Sequence, residues 1–487
     1  MWHRSFLSAL WVMWSLSAGD ADGTDAPGRR NFKVVIVGGG LAGLSAAEHL
    51  ARNGIGNVVV LEATDRAGGR VQTDTRTFGG EKVEMGATFV HGGSLNNPIY
   101  HLANRLQLFS SPPKRVTQEQ WVQSDKFLAF DARYIDEDVV GNATRLFAEA
   151  LEKMDEDNPV PVVRHLNRFL RDAHSDSESD SRDFQLVWNA LKNLEQLDVG
   201  AELEKASTME FTSYQELTGG DMTTAKPMSD IIRYLVSLHF PDMFKLGEPV
   251  AKIGWDGGSH RAVVETEAGK RYDADHVIVT VSLGVLKNGT DLFQPQLPNE
   301  KLQAIERLGF GTVNKIFLEF EKPFWSADDH HIVLCQNASA PSDDWIHHVS
   351  SLDMEHHGKK PLMTLWLAGD AAIRMETEPD DVVKDKCTRL LREFTGNPSL
   401  DPPKLLHRTK WMSNPRFRGS YSYVSTQSMR EDALTLGEPL PSAQDPILLF
   451  AGEATHPQFF STMHGAFLSG IREAERVVAL HRLKGSM

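Results

Sequence analysis

The stretch Phe32–Leu50, FKVVIVGGGLAGLSAAEHL, decides the fold. Lys33–Val37 is a short apolar run, mostly β-branched and closed by glycine, which is the pattern of a buried strand. Leu41–Leu50 sets Leu and Ala at helical spacing. Between them stands Gly38-Gly39-Gly40-Leu41-Ala42-Gly43, a Gly-x-Gly-x-x-Gly loop in the strand–turn–helix setting that a dinucleotide site requires. Gly38 permits the tight turn, Gly40 lets the backbone approach a pyrophosphate, and Gly43 lets the helix pack close on the sheet. The start of the helix, around Ala42, offers free N–H groups and a positive dipole end to phosphate.

Alone, such a loop could be no more than a tight turn. Here a second strand follows over Asn57–Leu61 and ends in Glu62, 19 residues beyond Gly43. A carboxylate at that place accepts hydrogen bonds from ribose hydroxyls. No arginine directly follows Glu62 to meet a 2′-phosphate, so NADP is disfavoured. The next residues, EATDRAGGR (Glu62–Arg70), form a basic, glycine-rich loop that would bring Arg70 and backbone N–H groups to an extended pyrophosphate.

The 487 residues are 41% hydrophobic and 24% charged, an ordinary globular balance for two or three domains. A net charge of −15 argues against nonspecific nucleic-acid binding and would attract a polycation. Charge alone reads equally as a soluble acidic surface. Met1–Arg4 is basic, Phe6–Ala18 is apolar, and Ser17, Ala18 and Gly19 are small. Residues 1–19 therefore read as a signal peptide, too short to span a bilayer, which implies secretion or the secretory-pathway lumen. An uncleaved anchor is the alternative. No other run reaches transmembrane length. The sequons at Asn142, Asn288 and Asn337 agree with export. Cys335 and Cys387 can build neither a disulfide framework nor a cysteine metal site, and no metal is expected. The terminus Lys484–Met487 matches neither a peroxisomal nor an ER address. The Ser/Asp run His174–Asp183 reads as a solvated loop.

Further motifs extend along the chain: VEMGATFVHG (Val83–Gly92), GEPVAKIGWD (Gly247–Asp256), LGFGTVNKIFLEFEKPFW (Leu308–Trp325), WMSNPRFRGSYSYV (Trp411–Val424) and ILLFAGEATHPQFFSTMHGAFLSGIREAERVV (Ile447–Val478). Together with the glycine loop they resemble the FAD-dependent amine oxidases, and most closely the animal spermine oxidases and N1-acetylpolyamine oxidases. The resemblance implies an α/β fold in which a Rossmann-like FAD-binding domain (32–115, 246–300 and 440–484) is interleaved with an α+β substrate-binding domain (116–245 and 301–439).

It also implies roles. Gly38, Gly40, Ala42, Gly43, Glu62 and Arg70 would hold the adenine and pyrophosphate end of FAD. Gly86, Ala87, His91, Gly92 and Val250 would lie along the cofactor. Glu453 would serve its ribityl-phosphate side, while Thr462 and Met463, at the start of the helix expected over Gly465–Val478, would face its N1–O2 edge. Reduced flavin gathers negative charge there, which a helix N-terminus stabilises. Lys315 resembles the lysine that holds a water against flavin N5 and assists reoxidation by O2. Spacing alone would make it a solvent-paired lysine just before a strand over Ile316–Phe320. His91 would act as hydrogen-bond partner or proton acceptor, against the plainer reading of a satisfied core histidine; His464 is read as structural. Tyr421 would be one wall of an aromatic cage before the flavin.

Two departures from the monoamine oxidases carry consequences. Ser420 stands where they tether flavin through cysteine, so FAD should be noncovalent. Thr462 stands where they carry the second cage tyrosine, so the cage is open on one side, which suits a long threaded amine. Glu195 and Asp198 would be counter-charges for remote ammonium groups; a solvated helix face is the plainer reading. Spermine oxidases place a serine two residues past the acid, and this chain has Gly200, a mixed signature. The implied activity is oxidation of a secondary amine of spermine or an N1-acetylated polyamine by O2, yielding an aminoaldehyde, a shorter amine and H2O2. The alternatives are an L-amino acid oxidase, which needs an arginine clamp that Arg66 or another arginine could supply, a lysine demethylase, and a flavin-binding protein without turnover. Oligomeric state is left open.

Overall fold

The computed structural model describes residues 32–110, 126–155, 158–173, 181–238, 243–255, 261–337, 343–355 and 358–485. The signal peptide read at 1–19 lies outside the described residues, as does most of the Ser/Asp run. The run's end is no loop: Ser181 caps the helix Arg182–Val199 by accepting from Phe184 N at 3.2 Å.

Two sheets organise the chain. The first is parallel, in the order Leu448–Phe450, His276–Val279, Val34–Val37, Val58–Leu61, Phe244–Lys245. Its strands come from distant parts of the sequence and are nearly continuous apolar runs, as strands covered on both faces must be. The glycine loop leaves the central strand and enters the helix Leu41–Arg52. The C-terminal helix, Met463–Gly485, lies directly on that helix. A Cβ at Gly470 would sit 2.1 Å from the carbonyl oxygen of Ala42, and Ser45 Oγ donates to Phe467 O at 2.8 Å. Phe244 and Lys245 pair with Val60 and Leu61, so the boundary read at 245/246 falls just after a strand of this sheet. The helix Ser229–Ser237 also packs here, its Ile231, Ile232 and Leu235 sharing a core with Leu41 and Leu44.

The second sheet has the order Leu405–Arg408, Val313–Glu319, Leu362–Ala368, Ser351–Glu355, His331–Cys335, Lys126–Ala129, with only the last pair parallel. One face presents Ile316, Leu318, Leu352 and Leu365 to the helices Gly369–Thr377 and Asp380–Thr395. The opposite face carries Lys315, Trp366 and Ser351 in one cross-strand row, and Asp353 and His331 in the next. Lys315 therefore lies inside its strand, not before it. The strand Leu362–Ala368 pairs the segment from Val313 onward, and Leu405–Arg408 joins from Ile316, so the whole of it is drawn into the sheet.

Cys335 and Cys387 are buried and unlinked. Among the described residues no helix is long and apolar enough to cross a membrane, and no group of side chains is placed to hold a metal ion.

Gly43 tests the close approach of helix to strand. A Cβ there would lie 2.0 Å from Gly38 O and 3.2 Å from Ile36 Cγ2. Gly43→Ala should cost about 1–3 kcal/mol, the range for overpacking a filled core, read as a lowered Tm. Gly40→Ala, whose Cβ would meet nothing within 4 Å, should leave the Tm of cofactor-stripped protein unchanged.

Candidate active site

One connected cavity of about 2400 Å³ runs from the glycine loop to the polar face of the second sheet. Gly38, Gly40, Ala42, Glu62 and Arg70 line one end, with Val250 beside them. Gly38 turns at φ +114°, where a Cβ would lie 2.5 Å from Thr280 Oγ1. The open space at Gly40 is the approach a pyrophosphate needs. Glu62 accepts from Gly39 N through Oε2 and from Thr64 N through Oε1, each at 2.8 Å, and so holds the loop it serves. The Thr64 hydroxyl also donates to Oε1 at 2.8 Å, and three donors leave a carboxylate capacity for another. The cradle fits an adenine dinucleotide. Gly43 and Gly92 are not on the wall. Gly43 packs helix on strand, and Gly92, at φ +80°, lies against Leu217, whose Cβ would be 2.4 Å from an added Cβ.

Arg70 and Glu453 meet across 383 residues, Nη1 to Oε1 at 2.8 Å. The same Arg70 nitrogen donates to Ser420 O at 2.7 Å. Glu453 Oε2 takes Ser422 Oγ at 2.6 Å and Ser461 N at 2.9 Å. Glu453 thus fixes Arg70 and the turn before the C-terminal helix. Thr462 caps that helix, accepting from Gly465 N at 3.0 Å while donating to Phe459 O at 2.8 Å. Thr462 and Met463 both line the cavity. His464 does not; it is buried against the Phe459 ring, and burial pulls its imidazole down to about 3, as befits a structural histidine.

Lys315 Nζ donates to Glu84 O and Gly86 O, each at 2.7 Å, and to Thr88 Oγ1. The expected cofactor-side residues Gly86 and Ala87 thus sit beside the lysine. Nζ also stands 4.5 Å from the Trp366 ring centroid. Burial pulls its ammonium down to about 7, against the carboxylates of Glu84 and Asp353. The Tyr421 hydroxyl donates to Leu197 O, so its ring and not its hydroxyl faces the cavity as a wall.

His91 lies in the cavity wall with Nδ1 2.9 Å from Asp221 Oδ2. Burial opposes its charge, yet the Asp221 hydrogen bond and the carboxylates of Asp221, Asp198 and Glu216 outweigh it, and the imidazole is raised above its ordinary range. Glu195 and Asp198 line the same cavity, so they are not a solvated helix face. Asp198 opens onto the cavity although it lies inside the molecule. Burial raises its carboxyl to about 6, with His91 opposing and Asp221 adding.

Asp221, Glu216, Trp366 and Asp353 were not found from sequence. Asp221 reaches His91 because Phe89–Val90 pairs with Met222–Thr223, a contact across 130 residues that no local pattern announces. The acids in YQELTGGD (Tyr214–Asp221) were the available hint. Arg66 supplies no clamp: its guanidinium donates to Gly69 O at 2.7 Å and Gln72 Oε1 at 2.8 Å, tying its own loop, and it does not line the cavity.

The chain matches the family model described as flavin containing amine oxidoreductase over residues 41–478. It is 35% identical over 503 residues to the peroxisomal N(1)-acetyl-spermine/spermidine oxidase of Bos taurus, covering 94% of this chain and 96% of that protein. The Homo sapiens protein of the same name is 36% identical over 498 residues, with the same coverage of 94% and 96%. Among solved structures, a putrescine oxidase double mutant shares the fold, with a TM-score of 0.67 and 19% identity over 92% of this chain and 99% of that one.

Gly200 explains itself locally. It ends the helix Arg182–Val199 at φ +77°, and a Cβ would lie 2.9 Å from Tyr421 Cε2. Gly200→Ser should lower stability by about 1–3 kcal/mol. Asp198→Asn should not. Its raised carboxyl means that ionisation costs stability above pH 6 and costs nothing below the unfolded value of about 3.9. Thermal melts of both variants at pH 7 check the pair.

Proposed function

Because the chain belongs to the flavin-containing amine oxidoreductase family, and within it to the animal polyamine oxidases, we propose that this FAD-dependent amine oxidase takes a secondary amine of spermine or of an N1-acetylated polyamine. Amine, O2 and water would give an aminoaldehyde, a shorter amine and H2O2. The observation that carries this reading is the cavity wall that sets Lys315 and His91 together with the carboxylates of Glu195, Asp198, Glu216 and Asp221. A polyamine brings several ammonium groups into a dehydrated site, and each needs a counter-charge there. A compact arylalkylamine would leave those carboxylates unanswered.

Bound FAD supplies the two-electron acceptor. The chain's residues would do the rest. The glycine loop, Glu62 and Arg70 hold the dinucleotide end. The Tyr421 ring and Thr462 bound the space for the reacting amine. His91, with Nδ1 committed to Asp221, would offer Nε2 to the substrate nitrogen and take its proton, since a neutral amine is the better hydride donor. Lys315, poised near neutrality, would hold a proton where oxygen is reduced. Ser420 carries no thiol and ties two strands, accepting from Val313 N at 2.9 Å and donating to Val313 O at 3.0 Å. That supports noncovalent FAD. The occupied guanidinium of Arg66 removes that residue as the carboxylate clamp an L-amino acid substrate would need.

Residues 1–19 support export through the secretory pathway. Of the sequons, Asn142 lies within the helix Glu137–Glu152, while Asn288 is exposed at a helix end. Glycosylation favours such exposed sites. We place the FAD unit at 32–115, 244–300 and 440–484, with the substrate unit between.

Anaerobic bleaching of the flavin absorbance tests the function, with spermine, N1-acetylspermine, spermidine, benzylamine and an L-amino acid in parallel. Polyamines should bleach it fast, and silence from all of them would end the proposal. Asp198→Val should cut kcat/KM for spermine about tenfold or more, the scale of one desolvated ion pair. KM for spermine should rise as pH falls through about 6, where Asp198 takes up its proton. Lys315→Met should leave anaerobic reduction intact and slow reoxidation by about 10²–10³, the typical loss of one charge-stabilising donor.

A further inference from the structure

Beneath Lys315 the second sheet carries a polar row that the reaction described above does not use. Trp366 is the direct cross-strand partner of Lys315, and its ring covers Nζ at 4.5 Å. The indole is not free to turn. Its Nε1 donates to Asp353 Oδ2 at 2.6 Å. The other carboxylate oxygen, Oδ1, meets His331 Nδ1 at 2.5 Å, and His331 is itself the cross-strand partner of Asp353. Lysine, indole, carboxylate and imidazole thus stand in sequence across four adjacent strands, and all four line the cavity.

We infer that Asp353 is a positioning residue for Lys315, acting through Trp366: it locks the indole face over the ammonium and so sets how firmly Lys315 holds its proton. An aromatic face attracts a cation only when the charge stands over it, and the attraction grows when both are dehydrated. A carboxylate accepting the indole N–H fixes the ring plane and adds its own negative charge at the ring's edge. Charge-assisted hydrogen bonds of this kind are roughly twice as strong as neutral ones. The oxygens of Glu84, Gly86 and Thr88 cover the ammonium's other side. Burial alone would drive the lysine neutral; the row opposes it.

Other charges face Lys315 as well. Glu84 and Lys82 approach on the segment before Gly86, with opposite effects. His331 lies behind Asp353. On the outer strand, His407 pairs with Phe317 and turns to Asp74 at 3.6 Å. Glu84, Lys82, His407 and Asp74 form no hydrogen bond or ion pair with Asp353 and stay when it is changed, whereas His331, which bonds it, responds as part of the same row.

The inference rests on the assignment of Lys315 to the oxygen half-reaction, and the experiment separates the two. Competitive acylation of the holoenzyme with trace acetic anhydride, read at Lys315 by mass spectrometry across pH 5–10, reports its protonation whatever its role. Wild type, Asp353→Asn, Asp353→Ser and Trp366→Phe are compared, with the pH profile of flavin reoxidation in parallel. Asp353→Asn keeps an acceptor for the indole but removes the charge, and it guards against the serine variant failing to fold. The labelling midpoint should fall in both Asp353 variants, further in the serine variant. At fixed pH below the midpoint, labelling should rise up to tenfold for each pH unit of fall. Trp366→Phe retains a ring but loses the tether, and its midpoint should fall towards that of Asp353→Ser. The reoxidation midpoint should move the same way. An unchanged labelling midpoint in both Asp353 variants overturns the inference. If Lys315 resists the reagent while Lys315→Met slows reoxidation, the reoxidation profile decides, and an unshifted profile overturns it. A shifted labelling midpoint with unaltered reoxidation in Lys315→Met would keep the inference and discard the assigned role.

Discussion

The site depends on one close approach, the backbone of Glu84–Thr88 pressed between Arg70 and Lys315. On one side a Cβ at Gly86 would fall 1.7 Å from Arg70 O, so only glycine fits. On the other, Lys315 gathers Glu84 O, Gly86 O and Thr88 Oγ1 around a single nitrogen. Arg70 belongs to the loop that follows the parallel sheet, and Lys315 to the second strand of the other sheet. The contact therefore fixes the two sheets relative to each other and closes the cavity between them. Arg70 is held in turn by Glu453, which carries the start of the C-terminal helix. Removing side-chain bulk at residue 86 and adding a buried cation at 315 are two halves of one device.

The parts of this arrangement that rest on local pattern were legible in the sequence. The glycine loop, its flanking strand and helix, and the acid at Glu62 are adjacent in the chain, and each has a physical signature. Lys315 was read as standing just before a strand, and it lies inside one. An alternation of Asn, Lys and Ile does not reveal the neighbour Leu362–Ala368, whose pairing extends the strand back to Val313. Gly200 looked like a divergence in substrate recognition. Its positive φ and its contact with Tyr421 make it a helix terminator first. The Trp366–Asp353–His331 row could not be read at all. Its members are separated by loops of unrelated length and meet only through register, which sequence spacing does not encode.

The acids of the cavity follow a different logic from the acids of the surface. Exposed ion pairs such as Arg168–Asp172 contribute little, because water already serves both partners. Asp198 shares an enclosed space with His91 and Asp221, where burial and the charge of Asp221 raise the cost of ionising it. His91 relieves part of that cost by taking charge itself. The fold thus stores an unfavourable arrangement at its site, which is common where binding must be driven by a specific charge.

That storage bears on substrate and catalyst alike. An arriving ammonium relieves the repulsion among the carboxylates, so binding of a polycation is favoured by what the empty site lacks. The same ammonium weakens the hold of those carboxylates on His91's proton, since it neutralises the charges that raised the imidazole. A histidine that loses affinity for its own proton as substrate enters becomes free to accept one from the amine beside it. A second ammonium of the same amine would then prepare the base that serves its reacting nitrogen. An amine with a single nitrogen has no second charge to offer the acids and would meet His91 still protonated. On this account a polyamine would be selected partly through the charge state of His91 and not only through the number of contacts.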